Sequence, residues 1–261
     1  MGNKFTDHLE NLHEVLNRFK QHGLKLKPKK CSLFQTEVKF LGKMVSKDGI
    51  AVDPEKVKVV KDWPEPKNTK EVKSFLGFVN YHREHIENFA EMARCLYQLT
   101  GPKNKFIWES EHPEAFNQLK SALINAPVLG FPEKDGTFLL DCDSSDHQIG
   151  AELSQVQGEI TIVISYGSLS LTAAQRKYCT TRKELLAIVR FTRQYRHYLL
   201  GRKFVVRTDH SSLAWLMRFK YLKGQLARWR EELAQYDMEI IHRVGKKNIS
   251  TLTAYQESQV P

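Results

Sequence analysis

The stretch Phe138-Leu139-Leu140-Asp141-Cys142-Asp143-Ser144-Ser145-Asp146, followed by Ile149-Gly150-Ala151 and Leu153-Ser154-Gln155, decides how the chain is read. Its first half is a short, mostly apolar run bounded by turn residues, the pattern of a buried strand, and Asp143 closes it. Beyond it, Gly150 to Gln155 and Ile160 to Tyr166 predict two more strands, and Thr181 to Leu200 a long helix. Phe204 to Thr208 predicts a strand closed by Asp209. Ser211 to Met217 and Leu222 to Tyr236 read as helical, and Met238 to His242 as a last strand. Three strands, helix, strand, helices, strand is an α/β order, with the central apolar strands buried on both faces.

Upstream the grammar is different. Thr6 can cap a helix in which Leu9, Leu12, Leu16 and Phe19 recur at helical spacing, with Gly23 ending it. Val38 to Val45 reads as one strand, turned by Lys47-Asp48-Gly49 into Ile50 to Val52. Asp53-Pro54 starts a helix that Pro64 and Pro66 stop, and Asn68 with Glu71 caps a second carrying Val72, Phe75, Leu76 and Val79. A third helix is predicted from about Ile86 to Leu99, and a fourth from Pro113 to Ile124. The division is therefore 1–52, 53–130, 131–250 and a short tail, 251–261.

At 261 residues with 41% apolar content, the chain can bury real cores. Its 40 Lys and Arg against 30 acids leave a formal charge of +10, which favours a phosphate-rich partner through counterion release. The four cysteines are widely spaced with no zinc pattern, as in half-buried, reduced thiols of an intracellular protein, with cytoplasm and nucleus both open. No signal-peptide pattern and no apolar run near the ~18 residues of a membrane span is present, so no membrane partner is expected.

Asp143, Glu184 and Asp209 carry the chemistry. Carboxylates gathered from two neighbouring strand ends and a covering helix can hold two divalent cations ~3.5–4 Å apart, and hard oxygen ligands suit Mg²⁺ or Mn²⁺. The bland reading stands beside it: Glu184, three residues after Thr181, fits a capping box, and Asp143 and Asp209 fit the starts of turns.

The opening quotation, with Tyr178 to Thr181, Glu184-Leu185-Leu186-Ala187, Arg196 to Gly201, Arg207-Thr208-Asp209-His210, Gln225 to Trp229 and His242-Arg243-Val244-Gly245, resembles the ribonuclease H domain of gypsy-type long-terminal-repeat retrotransposon Pol polyproteins. Residues His8 to Leu12, Leu24 to Cys31 and Phe40-Leu41-Gly42 resemble the end of the palm of such reverse transcriptases, and Gly77-Phe78 with Asn80-Tyr81 resembles their thumb.

The resemblance implies a ribonuclease H-like mixed sheet with covering helices, preceded by a small helical thumb and a β-hairpin remnant of the palm. It implies endonucleolytic cleavage of RNA in RNA–DNA hybrids by two Mg²⁺ or Mn²⁺ ions. Asp143 would bridge both ions, Glu184 and Asp209 would complete the set, and His242 would assist proton transfer or product departure. Lys39, Phe40, Leu41, Gly42, Lys43 and Arg228 are expected to contact the hybrid or a primer-template duplex.

Two departures temper the resemblance. The palm's paired aspartates would fall before the first residue, so DNA synthesis is not expected of this chain alone, and a palm-bearing subunit is a possible partner. The family's fourth acid would fall at Leu252, and Glu257 lies five residues beyond it. The alternative function is a catalytically silent relic that binds nucleic acid or protein.

Overall fold

The computed structural model describes residues 5–102, 104–210 and 223–243. The helix predicted over Ser211 to Met217, and the positions of Leu252 and Glu257, lie outside the described residues. The chain divides into two compact units, Met1–Val38 and Lys39–Pro261.

In the first unit, helix α1 (Phe5–Gln21) forms as its apolar spacing predicts, with none of its residues buried. The Phe34 ring packs against Phe5 and His8 at centroid distances of 5.6 and 5.2 Å.

Strands β1 (Glu37–Phe40), β2 (Lys43–Ser46) and β3 (Gly49–Val52) form a three-stranded sheet in that order. The single strand expected from Val38 to Val45 is thus broken in two. Leu41 and Gly42 both adopt positive φ, +48° and +73°, which is the backbone of a tight two-residue hairpin turn. Helix α2 (Pro54–Lys61) begins where Asp53 accepts a hydrogen bond from the Glu55 amide, and α3 (Thr69–Tyr81) where Asn68 accepts one from Glu71.

The third predicted helix is also corrected. Asn88, at φ +55°, separates a 3₁₀ turn at Arg83–His85 from α4 (Phe89–Met92) and α5 (Arg94–Leu99). Asparagine tolerates the left-handed region better than most residues, and there it interrupts the helical ladder. With α6 (Glu111–Ile124), these helices enclose a core around Phe75, Leu96, Leu119 and Leu123.

The larger sheet runs β6-β5-β4-β7-β8, built from β4 (Thr137–Ser144), β5 (Gln148–Gln157), β6 (Ile160–Ser170), β7 (Lys203–Thr208) and β8 (Asp237–His242). β4, β5 and β6 are antiparallel neighbours, while β7 runs parallel to β4 and β8 parallel to β7. Alternation along β4 sends Phe138, Leu140 and Cys142 into a core with Leu185, Ile188, Val189 and Phe191. On the opposite face Leu139 and Val205 are buried too, as a two-sided sheet requires.

The helix over that core, α8 (Thr180–Gln194), ends at Tyr195 and resumes as the single turn α9 (Arg196–Leu199). One continuous helix to Leu200 is therefore replaced by two. The buried Tyr195 hydroxyl lies 3.4 Å from Ser165 Oγ on β6, which ties the break to the sheet. Before α8 comes the short α7 (Ala173–Arg176), and the last helix among the described residues, α10, spans Gln225–Leu233.

The outer edge of β6 is covered by the segments that precede the sheet. Gly130 donates its amide to Val163 O at 2.8 Å, Arg83 reaches Ser168 O, and Ser168 Oγ accepts from the Ala90 amide at 2.9 Å. All four cysteines are free, but Cys95 and Cys142 are buried while Cys31 and Cys179 are exposed, so the expected uniform half-burial is replaced by two buried and two open thiols. No helix among the described residues is long and apolar enough to cross a membrane.

Candidate metal centre

Strand register brings the acids together. Asp141 pairs with Arg207 across the parallel β4–β7 ladder, so Asp143 and Asp209, each two residues further on, leave the sheet at the same end. The register is fixed there by a bidentate ion pair, in which Arg207 Nε donates to Asp141 Oδ1 at 2.6 Å and Nη2 to the other oxygen. Helix α8 supplies Glu184 from its first turns. One carboxylate oxygen from each of Asp143, Glu184 and Asp209 lies within 4.8 Å of the other two.

Glu184 is 2% exposed, whereas Asp143 and Asp209 are exposed. Its two oxygens are each held by a hydroxyl: Ser144 Oγ donates to Oε1 at 2.5 Å and Thr208 Oγ1 to Oε2 at 3.3 Å. Burial pushes the Glu184 carboxyl up to about 7, with the Asp209 and Asp143 charges adding to the rise and the two hydroxyl bonds opposing it. The capping role that Thr181 and Glu184 could have played is not used. Cys179 is the N-cap of α8 with no side-chain cap bond, and the capping box belongs instead to Thr172 and Gln175 of α7.

Three carboxylates with no thiolate or imidazole in the set form a hard-oxygen site, which fits Mg²⁺ or Mn²⁺. Cys142 is not a ligand: burial pushes its thiol well above the usual range, and it faces the core.

His242 ends β8 opposite Thr208, and its Nε2 is 2.9 Å from Asp209 O. Since a carbonyl only accepts, Nε2 carries the proton in this contact. Next to it the Arg243 amide donates to Thr208 O at 2.8 Å, and Arg243 Nη1 lies 3.6 Å from Asp141 Oδ1.

The residues expected to contact a duplex lie on the β1–β2 hairpin and on α10, and none is among the clustered acids. Lys39 pairs with Glu55 at 2.6 Å and Asp53 at 3.5 Å, and Lys43 pairs with Glu84 while burial lowers its pKa. Phe40 and Leu41, 62% and 70% exposed, form the open tip with Gly42, and the Tyr81 hydroxyl donates to Leu41 O. Arg228 is exposed on α10. Ser144 and Thr208 were missed in the sequence, although each directly adjoins a site aspartate and carries a hydroxyl that can reach the next carboxylate.

Residues 133–236 match the family described as the RNase H-like domain found in reverse transcriptase. The matched segment holds β4 to β7 and all three clustered acids. The relatives match the RNase H-like domain and most of what precedes it. The Pol polyprotein from transposon 297 of Drosophila melanogaster is 37% identical over 244 residues, covering 93% of this chain and 23% of the relative. The Pol polyprotein from transposon 412 of the same fly is 35% identical over 240 residues, 92% of this chain and 19% of the relative. The Tf2-3 transposon polyprotein of Schizosaccharomyces pombe is 32% identical over 248 residues, 93% and 19%. The chain thus spans about a fifth of the length of these relatives, and its resemblance to gypsy-type Pol polyproteins is borne out.

Among solved structures, foamy viral protease-reverse transcriptase in complex with an RNA/DNA hybrid has a TM-score of 0.79 at 23% identity, covering 97% of this chain and 35% of that one. A form of the same enzyme in complex with double-stranded DNA has 0.79 at 22%, covering 95% and 45%. The α/β fold class expected from the sequence is shared with them.

Proposed function

We propose that this chain is the nuclease-bearing part of a retrotransposon-type reverse transcriptase and hydrolyses the RNA strand of RNA–DNA hybrids. The convergence of Asp143, Glu184 and Asp209 carries this reading, because three carboxylates with oxygens within 4.8 Å are costly to assemble for stability alone. Those three side chains would hold Mg²⁺ or Mn²⁺. When bound, such ions supply activation of the attacking water and neutralisation of charge at the scissile phosphate. The protein's own part is to orient the ligands. Ser144 and Thr208 fix both oxygens of Glu184, while the exposed Asp143 and Asp209 present theirs to the solvent side, where arriving cations would be held.

In this reading the segments divide as 1–52, palm remnant; 53–130, thumb-like; 131–250, ribonuclease H-like; and 251–261, a diverged tail. The bound nucleic acids in the foamy viral structures support a duplex partner, with the exposed Phe40-Leu41 tip and Arg228 as contacts. Lys39 and Lys43, already paired with acids, would contribute after exchanging those partners. A palm-bearing subunit is a further proposed partner. His242 is assigned to the Asp209 strand end, where its Nε2 donates to the backbone.

The experiment is incubation of a labelled hybrid with Mn²⁺, beside an Asp143→Asn control. Cleavage by the wild type alone supports the reading. One sequence observation favours the second reading, a silent binding module: Leu252 stands where the family's fourth acid is expected. Retained hybrid binding with no cleavage by either protein would decide for it.

A further inference from the structure

The chain after Asp143 is poorly supported on one side. The β4–β7 ladder stops at Asp141, so Cys142, Asp143 and Ser144 pair only with β5, Asp143 lying opposite Gly150. Asp143 must nevertheless stay within reach of Glu184 and Asp209, whose charges repel it. Two consecutive residues of α8 supply the missing support. Glu184 takes the Ser144 hydroxyl, and Lys183 donates to Asp146 Oδ1 at 2.7 Å.

Lys183 is an unusual residue to find there. Its side chain is 7% exposed and that of Asp146 is 89% exposed, so a buried stem delivers its ammonium to a carboxylate at the surface. An apolar residue of similar volume would cover the same surface without holding a charge beside the core. Lys183 and Glu184 are followed on α8 by Leu185, Leu186 and Ala187, all buried. The turn it grips is also ordered from within, since Ser145 Oγ accepts from the His147 amide at 3.3 Å and the Gln148 amide at 3.2 Å.

We propose that the Lys183–Asp146 pair is a positioning device for the metal centre, stapling the turn after Asp143 to α8 so that the Asp143 and Glu184 carboxylates keep a spacing that accepts a cation. This deepens the metal-binding reading and rests on it. Neither residue touches the metal. Together with the Ser144–Glu184 bond, the pair gives the end of β4 two attachments to the helix in place of the lost ladder to β7.

The test uses the full chain with Asp146→Ala, Asp146→Glu and the double variant Lys183→Met with Asp146→Ala, which removes the Lys183 charge along with its partner. Mn²⁺ binding is read from the electron paramagnetic resonance of the free ion, and amide exchange over residues 142–148 is followed in metal-free protein. Asp146→Ala and the double variant should bind Mn²⁺ about three- to tenfold more weakly, the net worth of one hydrogen bond, while Asp146→Glu stays within about twofold of wild type. The same two variants should exchange those amides about tenfold faster. Unchanged exchange in both overturns the staple whatever the metal does. Faster exchange with unchanged Mn²⁺ affinity overturns its positioning role. A wild type that binds no Mn²⁺ sinks the metal-binding reading, and the positioning role with it, even if the exchange result shows the staple to be real.

Discussion

Replacing Glu184 by Gln should make the metal-free protein more stable, and by an amount that depends on pH. A carboxyl held near 7 in the folded protein, against an ordinary 4.5, binds its proton more tightly when folded than when unfolded. Its favourable contribution is complete below 4.5 and is lost as the pH rises through 7. At pH 8 ionised Glu184 therefore costs about 3 kcal/mol, while at pH 5, where it is still protonated in the fold, the cost is about 1 kcal/mol. Glutamine has no charge to bury and can keep both hydroxyl partners, because Ser144 and Thr208 can each rotate to donate or accept. Urea denaturation in EDTA should thus show the variant gaining about 2 kcal/mol more at pH 8 than at pH 5. In the presence of Mg²⁺ the variant's advantage at pH 8 should be cancelled, since an ion at a hundred times its Kd stabilises only the wild type, by about 3 kcal/mol. An equal gain at both pH values, or a loss at pH 8, would refute the claim that burial and the neighbouring aspartates raise this carboxyl.

Asp143→Asn should abolish Mn²⁺-dependent cleavage, by roughly a thousandfold or more, while hybrid affinity measured by fluorescence anisotropy changes little. His242→Gln, which still offers an amide donor to Asp209 O, should keep most of the cleavage rate and its pH profile; loss equal to that of His242→Ala would point to an acid–base role instead. Burial lowers the pKa of His82 to about 4, so stability present above 6.5 should drain away as the pH falls toward 4, by on the order of 3 kcal/mol, and a His82→Phe variant should flatten that limb of the urea midpoint against pH. Gly167→Ala would set a methyl 2.6 Å from the Phe191 ring and 2.8 Å from the Tyr195 hydroxyl; a loss of about 1–3 kcal/mol is expected, and none would mean that α8 moves freely over β6.

Much of the larger sheet was legible because its strands are apolar runs cut by turn residues, and because β4 and β7 each end in an acid. Parallel pairing of such strands puts the acids at one end without further information, so Asp143 and Asp209 could be grouped before any coordinates. The hairpin break was not legible, since leucine at Leu41 is a poor sign of a left-handed turn and only Gly42 beside it hinted at one. Asn88 and Tyr195 interrupted helices whose apolar spacing continues across them, which periodicity cannot register. The pairs Lys183–Asp146 and Arg207–Asp141 join residues 37 and 66 positions apart, and their existence follows from strand register and helix rotation, not from local pattern.

The covered edge of β6 has a practical consequence for anyone dividing this protein. A piece beginning near Pro132 would lose Arg83, Ala90 and Gly130, and with them the donors that now meet Ser168 and Val163. It would offer solvent an eleven-residue bare strand, the shape that recruits a second copy or seeds aggregation. The ribonuclease H-like portion is thus chaperoned by its own upstream neighbour, and solubility in isolation would call for polar substitutions along β6.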